Sequence, residues 1–176
     1  MGVREVLQLG NPLLREVCAP VSDPAAPEVA AVLADLRDTL AHWKMTTTYG
    51  RGITAPQIGV LQRIVFMNVD GHSPWPLVNP EIVAASDETQ VVWDACLSFL
   101  SIFFQVRRHC WVTVRYQDSD GSWHELCAEG DLSELLQHEI DHLDGILALD
   151  RLTDVRTITA RQEFERRHRG DSPYAR

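Results

Sequence analysis

Apolar residues recur along this chain in two rhythms. Between Pro27 and Trp43, the residues Val29, Val32, Leu33, Leu36, Leu40 and Trp43 fall at spacings of three and four. That period gathers side chains on one helical face, so a helix covering a sheet is expected there. A second such run, Leu132, Leu135, Leu136, Ile140, Leu143 and Leu147, predicts another helix with a buried stripe. Asp131-Leu132-Ser133-Glu134 reads as its capping box, with Asp131 accepting from early backbone N–H groups and Glu134 reaching back. Gly145 is the expected stop. Residues 63–69, 111–116 and 123–128 read as strands, the last two joined by a turn in Asp118-Ser119-Asp120-Gly121. The expected architecture is α+β, with mostly antiparallel strands embracing the second helix.

At 176 residues and 45% hydrophobic, the chain is long enough for one domain with a sizeable core and short for two. No apolar run approaches the ~18 residues needed to span a bilayer. Val6 stands where a myristoylation signal would carry Ser or Thr. A cytoplasmic protein without membrane contact is the expectation. The net charge is −9, yet residues 151–176 hold seven Arg against four acidic residues. Two readings of this basic end stay open: a solvated terminus, or a segment that meets RNA phosphate.

Candidate chemistry lies within the second predicted helix. In His138-Glu139-Ile140-Asp141-His142, an H-E-x-x-H run, the imidazoles stand one turn apart and can reach one ion. Glu139 points beside that face, where a carboxylate can take the proton of a water that the ion activates. A catalytic ion normally takes three protein ligands, so a third must come from elsewhere. The four cysteines, Cys18, Cys96, Cys110 and Cys127, form no C-x-x-C pair, and no secretory leader precedes them. A disulfide framework is not expected, and three of the four read as small buried hydrophobes. Cys96 differs by its setting, Asp94-Ala95-Cys96-Leu97-Ser98, which follows the apolar Val91-Val92-Trp93 and precedes His138 by forty-two residues.

Three segments together resemble the peptide deformylase family: Gly50-Arg51-Gly52-Ile53-Thr54-Ala55-Pro56-Gln57-Ile58-Gly59, then Asp94 to Ser98, then Gln137 to Gly145. The likeness extends from Val6-Leu7-Gln8-Leu9-Gly10-Asn11-Pro12 through Asn79-Pro80 to about Leu152. It implies antiparallel sheets around a metal-binding helix, with a catalytic domain over 1–155 and a basic C-terminal helix or tail over 156–176. It further implies a metal held by Cys96, His138 and His142, with Glu139 as general acid and base. The side-chain amide of Gln57 and the backbone N–H of Leu97 would stabilise the oxyanion. Gly50, Gly52 and Ala95 would lie against substrate backbone. The implied reaction removes the formyl group from the N-terminal methionine of nascent polypeptides. The implied ion is Fe²⁺, while ligand softness also admits Zn²⁺, Ni²⁺ and Co²⁺. Implied partners are the formylated nascent peptide and the ribosome, docked through Arg161 to Arg169, with the chain a monomer or weak homodimer.

The sequence departs from the family pattern, G-L-A-A-P-Q and E-G-C-L-S, at several positions. Ile53 and Thr54 alter the first motif, and Asp94 and Ala95 the second. Ala95 adds a Cβ and would be strained at positive φ. Asp94 shortens the acidic arm, so its ion pair, to Arg107 or Arg108, would have to be rebuilt. The apolar stretch Phe99 to Phe104 is expected either to line a side-chain pocket or to be ordinary core. Other readings are a zinc peptidase with a downstream ligand such as Asp150, a deformylase-like enzyme with an altered acyl-peptide substrate, and a non-catalytic peptide-binding relative.

Overall fold

The first helical rhythm becomes α1 (Pro27–Thr47), which buries Val29, Leu36 and Leu40 and runs one turn past Trp43 before Thr48 ends it in the left-handed region at φ 65°. A computed structural model describes residues 2–172. After α1 come β1 (Gly52–Thr54), β2 (Ile64–Met67), β3 (Trp75–Ala85), β4 (Thr89–Asp94), β5 (Ile102–His109), β6 (Trp111–Gln117) and β7 (Trp123–Glu129). Helix α2 (Gly130–Leu143), the short β8 (Thr159–Ala160) and α3 (Arg161–Arg167) complete the order. All pairings within the two sheets are antiparallel. A five-stranded sheet runs β1-β2-β3-β6-β7 and a three-stranded one runs β4-β5-β8.

Helix α2 lies between the sheets. Its Leu135, Leu136, Ile140 and Leu143 pack with Val65, Met67, Leu77, Val112, Val114 and Ala128 of the larger sheet. The smaller sheet closes the other side, with Cys96, Phe99, Phe104, Val106 and Ala148 in one cluster. Gln137 fastens helix to sheet by accepting from the His109 N–H at 2.9 Å and donating to the His109 carbonyl at 3.0 Å. At the bulged β3–β6 pairing, Asn79 takes φ 53°, and its side-chain amide accepts from Val21 N–H and donates to Val21 carbonyl.

The start of α2 differs from the expected capping box. The helix begins at Gly130, its N-cap is Glu129, and no side chain caps it. β7 stays paired through Glu129 and turns straight into the helix at Gly130, where φ is 55°, so no loop places Asp131 at the cap. Glu134 is thereby released for another partner. At the other end Gly145, with φ 71°, is required: a Cβ there would meet the Arg15 carbonyl oxygen at 2.5 Å.

Of the three cysteines read as core residues, Cys18 is buried, whereas Cys110 is half-buried and Cys127 is exposed on β7. Phe103 and Phe104 are fully buried, and Leu100 borders the cleft described below, so the Phe99–Phe104 stretch serves core and cleft together. Phe103 stacks on Phe164 of α3 at 3.9 Å between ring centres, which ties the C-terminal segment to the core. Within α3, Arg161 pairs with Glu165, and Arg166 and Arg167 pair with Glu163. No helix among the described residues is long and apolar enough to cross a membrane.

Candidate active site

Helical spacing brings His138 and His142 onto one face of α2, with ring centres 5.0 Å apart. Cys96 lies two residues past the end of β4 and accepts from the Ser98 N–H at the start of a tight turn, Leu97–Phe99. That turn carries its sulfur to 3.2 Å from His142 Nε2. One ligand atom from each of Cys96, His138 and His142 lies within 4.8 Å of the others, and all three residues are buried. A thiolate with two imidazoles suits a divalent first-row metal, so the residues present fit such an ion. Asp94, Glu134 and His138 likewise bring one ligand atom each to within 4.8 Å of the others. There, however, Arg108 holds Asp94 and Arg51 holds Glu134, so those carboxylates already have cations. Asp150, the downstream alternative ligand, accepts from Arg15 and the Leu147 N–H instead.

Asp94 connects the two sides of the site. One carboxylate oxygen lies 2.9 Å from His138 Nδ1 and the other accepts from Arg108 at 3.1 Å. Arg108, not Arg107, rebuilds the ion pair because side chains alternate along β5. Arg108 is buried while Arg107 points outward and donates to Thr89. Burial would raise the Asp94 pKa, but the charges of His138 and Arg108 hold it well below the usual carboxylate range. Burial likewise opposes a charge on His138, yet Asp94 outweighs it and shifts the imidazole upward. His142 is shifted downward by burial and by the neighbouring His138.

Glu139 is 3% exposed, and burial raises its carboxyl to about 7, against the lowering pull of His138 and Arg51. Gly52 makes room for it: a Cβ on that glycine would lie 2.8 Å from Glu139 Cδ. Gly52, expected only beside substrate backbone, thus also clears space for an acidic side chain. Gly50 takes φ 126°, a conformation suited to glycine. Ala95 has no positive φ, so its added Cβ brings none of the feared backbone strain.

Gln57 sits in a tight turn after β1. Its Oε1 accepts from the Thr54 N–H at 2.9 Å and the Thr54 hydroxyl at 3.1 Å. This leaves Nε2 directed toward Cys96 Sγ at 3.4 Å and Ser98 Oγ at 3.2 Å. The Thr54 hydroxyl, a departure from the family motif, is therefore a second anchor for the amide. Gly50, Gly52, Gln57, Ala95, Cys96, Leu97, His138 and Glu139 all border one cleft. Two further residues on its wall, Arg51 and Glu134, carried no site assignment in the sequence. They form an ion pair at 2.8 Å, with Glu134 buried and Arg51 half-buried. Glu134 stands four residues before His138, a helical spacing that pointed to this face.

A cleft beside an H-E-x-x-H helix, with a buried cysteine sulfur facing both imidazoles, defines a metal-dependent hydrolase. The family model for polypeptide deformylase matches residues 3–157. The peptide deformylase of Roseiflexus castenholzii is 37% identical over 185 aligned positions, covering 94% of this chain and 97% of that one. The crystal structure of the Thermotoga maritima peptide deformylase superposes with a TM-score of 0.81 at 33% identity, over 88% of this chain and all of that one. A Met-Ala-Ser-bound peptide deformylase from Acinetobacter baumannii gives 0.78 at 28% identity, over 85% of this chain and 98% of that one. The chain belongs to the peptide deformylase family, a family of metal-dependent hydrolases.

Proposed function

We propose that this chain removes the N-formyl group from the N-terminal methionine of nascent polypeptides, with Cys96, His138 and His142 holding a divalent ion, Fe²⁺ in the cell. The observation that carries this reading is the convergence of the Cys96 sulfur and two imidazoles beside Glu139 and the Gln57 amide. When bound, the ion supplies Lewis-acid activation of water and of the scissile carbonyl. The chain's own residues do the rest. Glu139 is shielded from water and titrates near 7, which suits a group that first accepts a proton from the attacking water and then delivers it to the departing amine. Gln57 Nε2 and the Leu97 backbone N–H are the donors for the oxyanion that forms as the carbonyl carbon becomes tetrahedral. Asp94 fixes the ring of His138 and is itself fixed by Arg108.

The edge strand β1 lies beside the site, paired on one flank with β2, and suits an extended peptide laid along it. The Met-Ala-Ser tripeptide bound by the Acinetobacter relative has the form of a deformylated product. A substrate met at the start of its synthesis places the reaction in the cytoplasm. The test is formate release from formyl-Met-Ala-Ser by anaerobically purified, iron-loaded protein. Turnover is expected, with Glu139→Gln retaining metal but losing activity, and Cys96→Ser losing metal. No formate at full metal occupancy would overturn the reading, and cleavage of internal peptide bonds would favour a zinc peptidase.

A further inference from the structure

The Arg51–Glu134 ion pair, with Glu134 buried and Arg51 half-buried, lies beside the candidate metal site, yet the chemistry of deformylation uses neither charge. Glu134 is 1% exposed and Arg51 donates to its Oε2 at 2.8 Å. Its other oxygen, Oε1, has no hydrogen-bond partner among the described residues, although the carboxylate borders the cleft. Leu97, Leu100 and Leu135 line the same cleft, together with polar Gln57, Asp94, His138 and Glu139.

Glu134, His138 and His142 follow one another at four-residue steps along α2. The step from His138 to Glu134 is just over one turn, about 6 Å along the axis. In a formylated peptide, the first side chain branches one bond from the scissile amide nitrogen. A side chain of four or five atoms therefore spans the distance from the reacting carbonyl to Glu134. Oε1 is already buried without a partner, so an apolar side chain filling this space would leave that acceptor unsatisfied. A side chain ending in an N–H donor would satisfy it. The pair is already neutral as a whole, so an additional cation would be buried without a counter-charge of its own.

We propose that Arg51 and Glu134 are specificity-determining residues that make the first side-chain position of the cleft favour a linear side chain with a neutral terminal donor. Glutamine, close in length to methionine, is the model case. This inference rests on the deformylase reading above and refines its substrate class. Methionine remains a substrate, and the preference is imposed on top of the family reaction.

The experiment compares kcat/KM for formate release by the iron-loaded protein from formyl-Xaa-Ala-Ser peptides, where Xaa is Gln, Met, norleucine or Lys. The expected result is about a tenfold advantage of Gln over norleucine and over Lys, the scale of one satisfied buried acceptor. The double variant Arg51→Leu/Glu134→Leu removes both charges together, leaves no lone buried ion, and should reverse the Gln-to-norleucine order. Wild-type selectivity decides the matter even if that variant fails to fold. Equal rates, or a preference for norleucine or Lys, would overturn the proposal while leaving deformylation intact. Absence of formate from every peptide would defeat the deformylase reading itself, and the inference with it.

Discussion

The guanidinium of Arg108 donates to the carboxylate of Asp94 at 3.1 Å, with both side chains at 2% exposure or less. Asp94 also faces His138 Nδ1, and Arg108 reaches Asp141 as well. Arg108→Met should therefore leave Asp94 buried without its arginine, costing about 3–5 kcal/mol, while Asp141 keeps Arg151. Loss of the Asp94 anchor should also weaken metal binding by roughly 10–100-fold. Urea unfolding and metal titration measure the two effects. Arg108→Lys should recover only part of each, because a point charge cannot bridge two carboxylates as a planar fork does. Wild-type stability in Arg108→Met would show that the pair is dispensable.

Gly52 and Glu139 are matched in space, not in sequence. In Gly52→Ala the new Cβ would lie 2.8 Å from Glu139 Cδ, so the carboxylate must move. Circular dichroism should report a folded protein, while kcat falls by about 10²-fold, the lower range for loss of a positioned acid/base. An unchanged kcat would mean that Glu139 tolerates displacement.

Thr54 contributes two hydrogen bonds to Gln57 Oε1, one from its backbone and one from its hydroxyl. Thr54→Ala removes only the second, and kcat should fall by about fivefold, in line with one neutral hydrogen bond. Gln57→Ala should cost about 10²–10³-fold, as for loss of an oxyanion donor. The double variant should be no worse than Gln57→Ala, since Thr54 acts through the amide. Additive losses would place Thr54 in some other role.

The buried Glu139 makes metal-free stability depend on pH. Its carboxyl titrates at about 7 in the fold against an ordinary 4.5. A raised carboxyl pKa means that ionisation opposes folding. The penalty is absent below about 4.5, grows as pH rises, and is complete above about 7, reaching about 3 kcal/mol. Glu139→Gln cannot ionise. Urea melts of the two metal-free proteins should thus diverge from pH 5 to pH 8 in favour of the variant. A constant difference across that range would contradict the burial-driven shift.

How much of this was legible beforehand depended on the range of the interaction. The apolar faces of α1 and α2 follow from residues three and four apart, and the positions of His138, Glu139 and His142 on α2 follow from the same geometry. Cys96 and Gln57 were reachable through motif likeness, and the structure brings both to one cleft. The capping box failed because β7 runs unbroken into the helix, and Glu134, released from its own helix end, turns to Arg51, eighty-three residues away. The choice between Arg107 and Arg108 likewise needed the register of β5, which decides the inward residue.

The sequence by itself determined which residues could bear the chemistry, the H-E-x-x-H face above all, since a helix turns a spacing of four into a shared direction. Tertiary structure alone decided what surrounds them. Packing of β1 against α2 sets Gly52 under Glu139 and Arg51 beside Glu134. Such contacts depend on where two elements meet in space, and no local spacing encodes that.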